Sequence, residues 1–287
     1  MAETTANAQQ ATYWTEVAGP HWVQQQRQFD HMLVAFGAES LRVLAARPGE
    51  RIIDVGCGTG TSTLAIASAV TDSGAAVGFD ISPVMIEAAA ARAAADGVGN
   101  ATFMVGDAQT DALVANRSAQ FDAMYSRFGV MFFSDPTAAF ANIRAAIRSG
   151  GRLTFACWRE EATNPWIDEP ARVMRSFTPE PVFPPPNAPG PFAFQDDERV
   201  RGILGDAGWS DVELRAVDAM VTMGAGEGVG PAVAQTMGTT VGHILRQQVD
   251  DATYAEVTTA ISRMMSEHLV DGAVQFPGSV WVVTATN

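Results

Sequence analysis

Short apolar runs recur along the chain, and many of them are separated by amphipathic or alanine-rich stretches. Runs rich in β-branched and other apolar residues are typical of buried strands. Seven such runs are predicted to be strands: Arg51–Ile53, Ala75–Asp80, Thr102–Val105, Phe121–Ser126, Arg152–Trp158, Val212–Met223 and Ser279–Thr286. Helix-compatible stretches lie between the first five, and such alternation predicts an α/β fold with a doubly wound sheet.

Further helices are predicted outside this alternating region. Before the first strand, apolar residues between Trp22 and Phe36 recur at helical spacing, which predicts one long amphipathic helix or two. Between the last two strands, Pro231–Val249 and Ala252–Leu269 are predicted to be two inserted helices. The segment 160–194 is rich in proline, so we expect it to be irregular and to leave the sheet on its ligand side.

The turn after the first strand carries the clearest chemical pattern. Asp54 is followed by Gly56, Gly58 and Gly60, and a helix begins at Thr61. Glycines let a ligand approach the backbone, and the N-terminus of a helix attracts an anion. A dinucleotide fingerprint needs its third glycine at position 61, which is threonine. The alternative to a ligand-binding turn is a glycine-rich turn that has no ligand.

This glycine spacing, with an acidic residue two positions before the first glycine, resembles the first motif of class I S-adenosylmethionine-dependent methyltransferases. The resemblance covers about residues 50–160, and the nearest pattern is that of the ubiquinone and menaquinone methyltransferases. It implies a Rossmann-like, seven-stranded sheet whose last strand is antiparallel, with helical cap insertions. It also implies S-adenosylmethionine as the cofactor and methyl transfer by direct displacement to a small, largely apolar acceptor.

Cofactor contacts are expected at the carboxyl ends of the strands. Asp80 ends the second strand, where a carboxylate can accept hydrogen bonds from ribose hydroxyls. The resemblance implies that Asp107 accepts a hydrogen bond from the adenine amino group, and Ile81 and Met85 are placed to touch the adenine ring. The full set of predicted cofactor-binding residues is Asp54, Gly56, Cys57, Gly58, Gly60, Asp80, Ile81, Met85, Asp107, Ala108 and Ser126.

The resemblance also divides the chain. Residues 1–48 are expected to form an N-terminal helical lid, 49–160 the cofactor-binding core, 161–195 the proline-rich excursion, and 196–287 the end of the core with a helical cap at about 225–272. Residues expected in the acceptor pocket are Trp14, Trp22, Arg127, Phe128, Met131, Trp158 and Trp166. Met131 and Phe132 replace the Arg-Asn pair of the quinone enzymes, which argues against a quinone ring, and Arg127 is expected to pair with a carboxylate.

Composition excludes several classes of function. The chain has 32 acidic and 18 basic residues, a net charge of −14, so nucleic acid is not expected as a partner. All 18 basic residues are arginine, which excludes lysine chemistry. Two cysteines and four scattered histidines predict neither a disulfide framework nor a metal site. We expect a cytoplasmic protein without a membrane span, and a homodimer is possible.

A catalytic base is needed only if the acceptor must lose a proton. His21 is the first candidate because the N-terminal lid would carry it over the site, and His243 is the second. Two other functions stay open on the sequence alone. One is a nicotinamide-dependent oxidoreductase with the same fold, and the other is a module that binds the cofactor without catalysis.

Overall fold

The computed structural model describes residues 7–114, 120–178 and 187–287. Its strands are β1 (Arg51–Val55), β2 (Ala75–Asp80), β3 (Ala101–Val105), β4 (Phe121–Arg127), β5 (Ile147–Trp158), β6 (Ser210–Met223), β7 (Leu269–Val270) and β8 (Ala273–Thr286). They form one sheet in the order β3-β2-β1-β4-β5-β8-β6, and the two-residue β7 pairs with β8. The seven predicted strands are therefore all present, with β7 as an addition.

The first five strands are parallel, and β8 runs antiparallel to both of its long neighbours. The predicted Rossmann-like fold, with its last strand antiparallel, is confirmed. β8 is longer than predicted because it continues the pairing with β6 back to Val274, opposite Met223. In such a sheet the carboxyl ends of the parallel strands share one edge, and ligands bind at that edge.

Twelve α-helices lie among the described residues, besides short 3-10 turns at Val130–Phe132, Glu161–Thr163 and Gly224–Gly226. They are α1 (Ala8–Thr12), α2 (Ala18–Gln24), α3 (Gln26–Met32), α4 (Val34–Leu44), α5 (Thr61–Val70), α6 (Pro83–Ala95), α7 (Pro136–Ala146), α8 (Pro165–Arg175), α9 (Asp197–Asp206), α10 (Val229–Met237), α11 (Thr240–Gln248) and α12 (Asp251–Glu267). A π-helical turn, Tyr13–Val17, joins α1 to α2.

Three details of the helices differ from the predictions. The N-terminal helical region is broken into four helices and a π-helical turn rather than one or two helices. The predicted helix Pro231–Val249 is interrupted between α10 and α11 at Gly238 and Thr239. The expectation of irregular structure was wrong for α8, because Pro165 occupies its first turn, where a missing N–H costs nothing. Residues 179–186, the most proline-rich part of that segment, lie outside the described residues.

Both faces of the sheet are covered. Ile52 and Tyr125 belong to one buried cluster, whereas Ile53 and Met124 belong to a larger one, as expected for neighbouring residues on a strand. In the part of the chain that the structure describes, no helix has the length and apolar character needed to cross a membrane.

Candidate functional site

The glycine turn follows β1, and its three glycines have φ values of +67°, +54° and +83°. A Cβ at Gly56 would lie 2.7 Å from the Cα of Gly129, and one at Gly60 would lie 2.9 Å from the Cβ of Ala89. Both glycines are therefore required for packing. A Cβ at Gly58 would meet nothing within 4 Å, so its open side is the one that a ligand can approach.

Asp54 lies beneath the turn and is fully buried. Its Oδ2 accepts hydrogen bonds from Ser62 Oγ (2.6 Å) and Thr63 Oγ1 (2.7 Å), at the start of α5. Its Oδ1 has no hydrogen-bond partner among the described residues. Burial raises the pKa of Asp54 to about 6, although the two hydroxyls favour the ionised form. The position of Asp54 suits a role in fixing the turn to the helix.

Asp80 ends β2 beside the same turn. Its Oδ2 accepts the N–H of Gly58 at 2.8 Å, and its Oδ1 accepts the N–H of Ser82 at 2.9 Å. Burial raises the pKa of Asp80, against the effect of these N–H groups. A carboxylate has about four acceptor positions, so both oxygens keep capacity for a further donor. The pair of bonds orients this carboxylate before any ligand arrives.

A third carboxylate follows β3. Asp107 accepts the N–H of Gln109 at 2.9 Å, and the amide nitrogen of Asn7 lies 2.9 and 3.0 Å from its two oxygens. Asn7 comes from the N-terminal segment, 100 residues away in the chain. Asp80 and Asp107 are thus two fixed carboxylates along one edge of the sheet.

Gly56, Gly58, Asp80 and Asp107 line one cavity of about 800 Å³. It extends from Asp107 and Asp80, past Gly58, to the aromatic side chains of Trp158 and Trp166. Predicted cofactor residues that line it are Gly56, Gly58, Asp80, Ile81, Met85, Asp107 and Ala108. All the predicted acceptor residues line it as well, namely Trp14, Trp22, Arg127, Phe128, Met131, Trp158 and Trp166.

Four predicted cofactor residues do not line this cavity: Asp54, Cys57, Gly60 and Ser126. Cys57 borders a smaller pocket of about 40 Å³ next to it, between the glycine turn and α3. The Ser126 hydroxyl accepts the N–H of Gly129 at 3.3 Å. Their positions suit support of the glycine turn, and direct contact of these four residues with the cofactor stays a prediction.

The two candidate bases lie in different surroundings. His21 is not among the residues that line the cavity: its ring packs against Phe29 and under Gly238, where a Cβ would lie 1.9 Å from the His21 ring. Burial lowers the pKa of His21, which disfavours the protonated form that a base must reach. His243 does line the cavity, and its Nε2 lies 3.0 Å from Nε2 of Gln247. The catalytic role of His21 therefore stays a prediction, and His243 is the histidine that the structure places at the cavity.

Arg127 pairs with a carboxylate, as the sequence predicts. Its guanidinium lies 3.2 Å from Oδ1 of Asp30, on α3. Oδ2 of Asp30 accepts a hydrogen bond from Thr61 Oγ1 at 2.7 Å. The pair ties the N-terminal helices to the end of β4 and the start of α5.

Phe128 has a backbone conformation that is rare for a bulky side chain. Its φ is +64°, and its ring stacks on Trp158 with the ring centres 4.4 Å apart. Left-handed backbone of this kind costs about 1–2 kcal/mol and is found preferentially at functional sites. The strain places an aromatic ring in the cavity wall directly after β4.

Sequence reasoning missed several lining residues. Asn7 is one, and others come from α8, from α10 and α11, and from the break between these two: Ile167, Pro170, Met174, Gln235, Thr239 and Ile244. The predicted excursion and cap place these segments near the site, but no local pattern marks the individual side chains. The four-part division of the chain also stays a prediction.

The Asp80 carboxylate fixed by two backbone N–H groups, the open glycine turn and the doubly wound sheet with an antiparallel last strand are the arrangement expected of a class I methyltransferase. The chain matches a family model described as a methyltransferase domain over residues 52–151. It is 36% identical over 107 residues to aklanonic acid methyltransferase from Streptomyces sp. (strain C5), covering 37% of this chain and 47% of that relative. The match thus spans about half of the length of this relative, and it spans 39% of a nocamycin O-methyltransferase from Saccharothrix syringae.

A demethylmenaquinone methyltransferase from Beutenbergia cavernae is 31% identical over 189 residues, which covers 61% of this chain and 72% of that protein. The solved structure of a SAM-dependent methyltransferase from Aquifex aeolicus matches with a TM-score of 0.52 at 18% identity, over 69% of this chain and 91% of the other. The chain belongs to the class I S-adenosylmethionine-dependent methyltransferases. The predicted cofactor is confirmed, and the nicotinamide alternative falls away.

Proposed function

We propose that the protein transfers a methyl group from S-adenosylmethionine to a small, largely apolar acceptor that carries no positive charge. The observation behind this proposal is the distribution of charge in the cavity. Among the described residues, its charged or titratable lining near neutral pH consists of Asp80, Asp107, Arg127 and His243. Both carboxylates lie at the end with the glycine turn, so an ammonium group at the aromatic end finds no counter-ion.

The residues at the glycine-turn end fit the cofactor. Gly58 leaves room for a ligand against the backbone, and Asp80 keeps acceptor capacity for ribose hydroxyls. We propose that Asp107 accepts a hydrogen bond from the adenine amino group. When bound, the cofactor supplies an electrophilic sulfonium methyl group, so the protein mainly has to align the acceptor and exclude water. Such alignment can contribute about 7–11 kcal/mol to lowering the barrier.

The aromatic end suits a flat apolar acceptor. Phe128 stacks on Trp158, and the Trp158 and Trp166 ring centres are 4.8 Å apart. Burial of a phenyl-sized group in such a wall contributes roughly 1.5–3 kcal/mol, whereas an uncompensated ammonium group would lose several kcal/mol. The name of the aklanonic acid relative is consistent with an acidic or neutral acceptor.

We further propose that His243, rather than His21, takes the proton when the acceptor is a hydroxyl compound. Among the described residues that line the cavity, His243 carries the one imidazole, the side chain that most often serves as a general base, and Gln247 one turn later on α11 contacts its ring. A positioned base typically adds 10²–10⁴-fold to the rate. This is a smaller contribution than alignment supplies.

The test compares two naphthalene acceptors of similar size and different charge. 2-Naphthol and 2-naphthylmethylamine would be incubated with cofactor, and formation of S-adenosylhomocysteine followed. We expect kcat/KM for the naphthol to exceed that for the amine at least about tenfold, because only the amine must bury a cation. A preference for the amine, or methylation of peptide or tRNA alone, would refute the proposed acceptor class.

A variant links this result to the aromatic wall. Trp166→Ala should reduce kcat/KM for the naphthol, and the affinity for S-adenosylhomocysteine should stay as in the wild type. Equal losses of both would show that Trp166 supports the whole site rather than the acceptor.

A further inference from the structure

Two consecutive polar residues of α10 lie in an apolar part of the cavity wall. Gln235 and Thr236 both line the cavity, and they are 0% and 5% exposed. Apolar side chains line it from segments that neighbour α10: Met32 from α3, Met223 from the end of β6 and Val241 from α11. Buried polar groups normally have hydrogen-bond partners. The partners of Gln235 and Thr236 therefore decide what this wall can bind.

The amide of Gln235 has one orientation. Its oxygen Oε1 accepts the N–H of Gly224 at 2.7 Å, and an N–H group requires an acceptor at this place. The other end of the amide, Nε2, must then be a donor, and it lies 3.4 Å from the sulfur of Met32. A thioether is a weak acceptor and an NH₂ group has two N–H bonds, so Nε2 keeps donor capacity.

The hydroxyl of Thr236 has no hydrogen-bond partner among the described residues. A threonine on a helix can donate to a carbonyl one turn earlier, as Thr258 does to Tyr254 on α12 at 2.8 Å. A buried hydroxyl without a partner costs stability. Because no hydrogen bond opposes rotation about the Cα–Cβ bond, which exchanges the positions of the hydroxyl and the methyl group, the Thr236 hydroxyl can serve a ligand.

These two groups define the kind of ligand atom that fits beside α10. The Gln235 nitrogen can only donate, so the atom that it binds must accept. An uncharged oxygen costs less to bury than a carboxylate does. A carboxylate would in addition need a counter-ion, and the guanidinium of Arg127 is already paired with Asp30 at 3.2 Å. A carbonyl oxygen meets both conditions.

We propose that Thr236, together with Gln235, binds a carbonyl oxygen of the acceptor, so that the acceptor is a flat apolar molecule with at least one ketone or similar carbonyl group. This inference deepens the proposed function and rests on it. The aromatic wall of Phe128, Trp158 and Trp166 selects the flat apolar part of the molecule, and α10 selects its carbonyl-bearing edge. The two polar residues act on acceptor specificity and not on the methyl group itself.

Binding of two ligands of nearly equal shape tests the proposal. 2-Acetylnaphthalene has a carbonyl oxygen where 2-isopropenylnaphthalene has a methylene group. Titration calorimetry on the protein saturated with S-adenosylhomocysteine gives the Kd of each. Thr236→Val keeps the shape of the side chain and lacks the hydroxyl. We expect its preference for the ketone over the alkene to fall by about 2- to 12-fold relative to the wild type, which is the worth of one hydrogen bond.

Thr154→Val is the matched control. The hydroxyl of Thr154, on β5, is also buried and also without a partner among the described residues, but Thr154 does not line the cavity. Neither variant should lower the melting temperature, because each removes a buried hydroxyl that has no bond to lose. Only Thr236→Val should change the ligand preference.

Three results would overturn the proposal. An unchanged preference in Thr236→Val, or an equal change in Thr154→Val, would mean that the Thr236 hydroxyl binds no carbonyl, and the proposed acceptor class would still stand. A lower melting temperature of Thr236→Val alone would mean that its hydroxyl is already bonded in the free protein. Failure of the wild type to bind either naphthalene would refute the proposed acceptor class together with this inference.

Discussion

Substitution of Gly58 separates the strain of a turn from the space that a ligand needs. Gly58 and Gly97 have similar backbone conformations, with φ +54° and +68°, and a Cβ at either position meets nothing within 4 Å. Gly97 follows α6 and is exposed, away from the cavity. Alanine at either position pays about 1–2 kcal/mol for left-handed backbone. The two variants should therefore lose similar stability.

Only the Gly58 variant should lose the cofactor. A methyl group at position 58 enters the cavity at the place where the ligand would contact the turn. Forcing a group of that size into a filled site costs about 1–3 kcal/mol, so the Kd for S-adenosylhomocysteine should rise roughly 5- to 150-fold. Valine is larger and should abolish measurable binding while the protein stays folded.

Titration calorimetry and thermal unfolding measure the two effects separately. Wild-type affinity in Gly58→Ala, or an equal loss of affinity in Gly97→Ala, would refute the inference that the open side of Gly58 faces the cofactor. Gly56→Ala is a third comparison. Because its Cβ would lie 2.7 Å from the backbone of Gly129, it should lose stability more than either of the others.

Asp80→Ala should weaken cofactor binding by on the order of 1.5–3 kcal/mol per hydrogen bond lost, by calorimetry, and equal affinity would exclude the ribose role. His243→Ala should lower kcat for a hydroxyl acceptor by about 10²–10⁴-fold. His21→Ala should lower kcat by less than about a hundredfold and should mainly lower the melting temperature. Steady-state kinetics that show the reverse order of the two variants would restore His21 as the base. The pKa of Asp54 in the folded protein is about 6, above its ordinary value of 3.8, so the folded protein binds this proton more tightly than the unfolded chain does. Ionisation of Asp54 therefore lowers the free energy of unfolding as the pH rises from about 4 through 6. In urea unfolding, Asp54→Asn should therefore gain up to about 3 kcal/mol relative to the wild type between pH 4 and pH 7, and a constant difference would contradict the raised pKa.

Local patterns in the sequence predict the cofactor end of the site well. Gly58 comes soon after one short apolar run and Asp80 ends another, and both runs are predicted to be strands. Because the carboxyl ends of parallel strands lie at the same edge of a sheet, the two residues are expected to lie close together. Nothing local predicts Asn7, because its partners Asp107 and Ser134 are distant in the chain. Helical spacing predicts that His21 lies on a helix, but the rotation of that helix against the cap decides which way the ring points.

The same limit applies to backbone strain and to proline. Phe128 reads as an ordinary aromatic residue after a strand, and neither its positive φ nor its stacking on Trp158 has a local signal in the sequence. Pro165 and Pro170 read as helix breakers. In the structure Pro165 begins α8 and Pro170 is buried within it, so tertiary packing outweighs the loss of a backbone hydrogen bond.

The two ends of the cavity come from different parts of the chain, and this explains why the family is easier to identify than the acceptor. The family model matches residues 52–151, which contain the glycine turn, Asp80 and Asp107. Much of the aromatic end lies outside that range, since Trp158, α8, α10 and α11 all follow it. We expect a change in those later segments to alter the acceptor while Asp80 and Asp107, the carboxylates proposed to bind the cofactor, keep their backbone bonds to Gly58, Ser82 and Gln109. The proposed cofactor site therefore rests on backbone geometry close to the sheet, whereas the proposed acceptor site rests on side chains brought in by helices that pack over it.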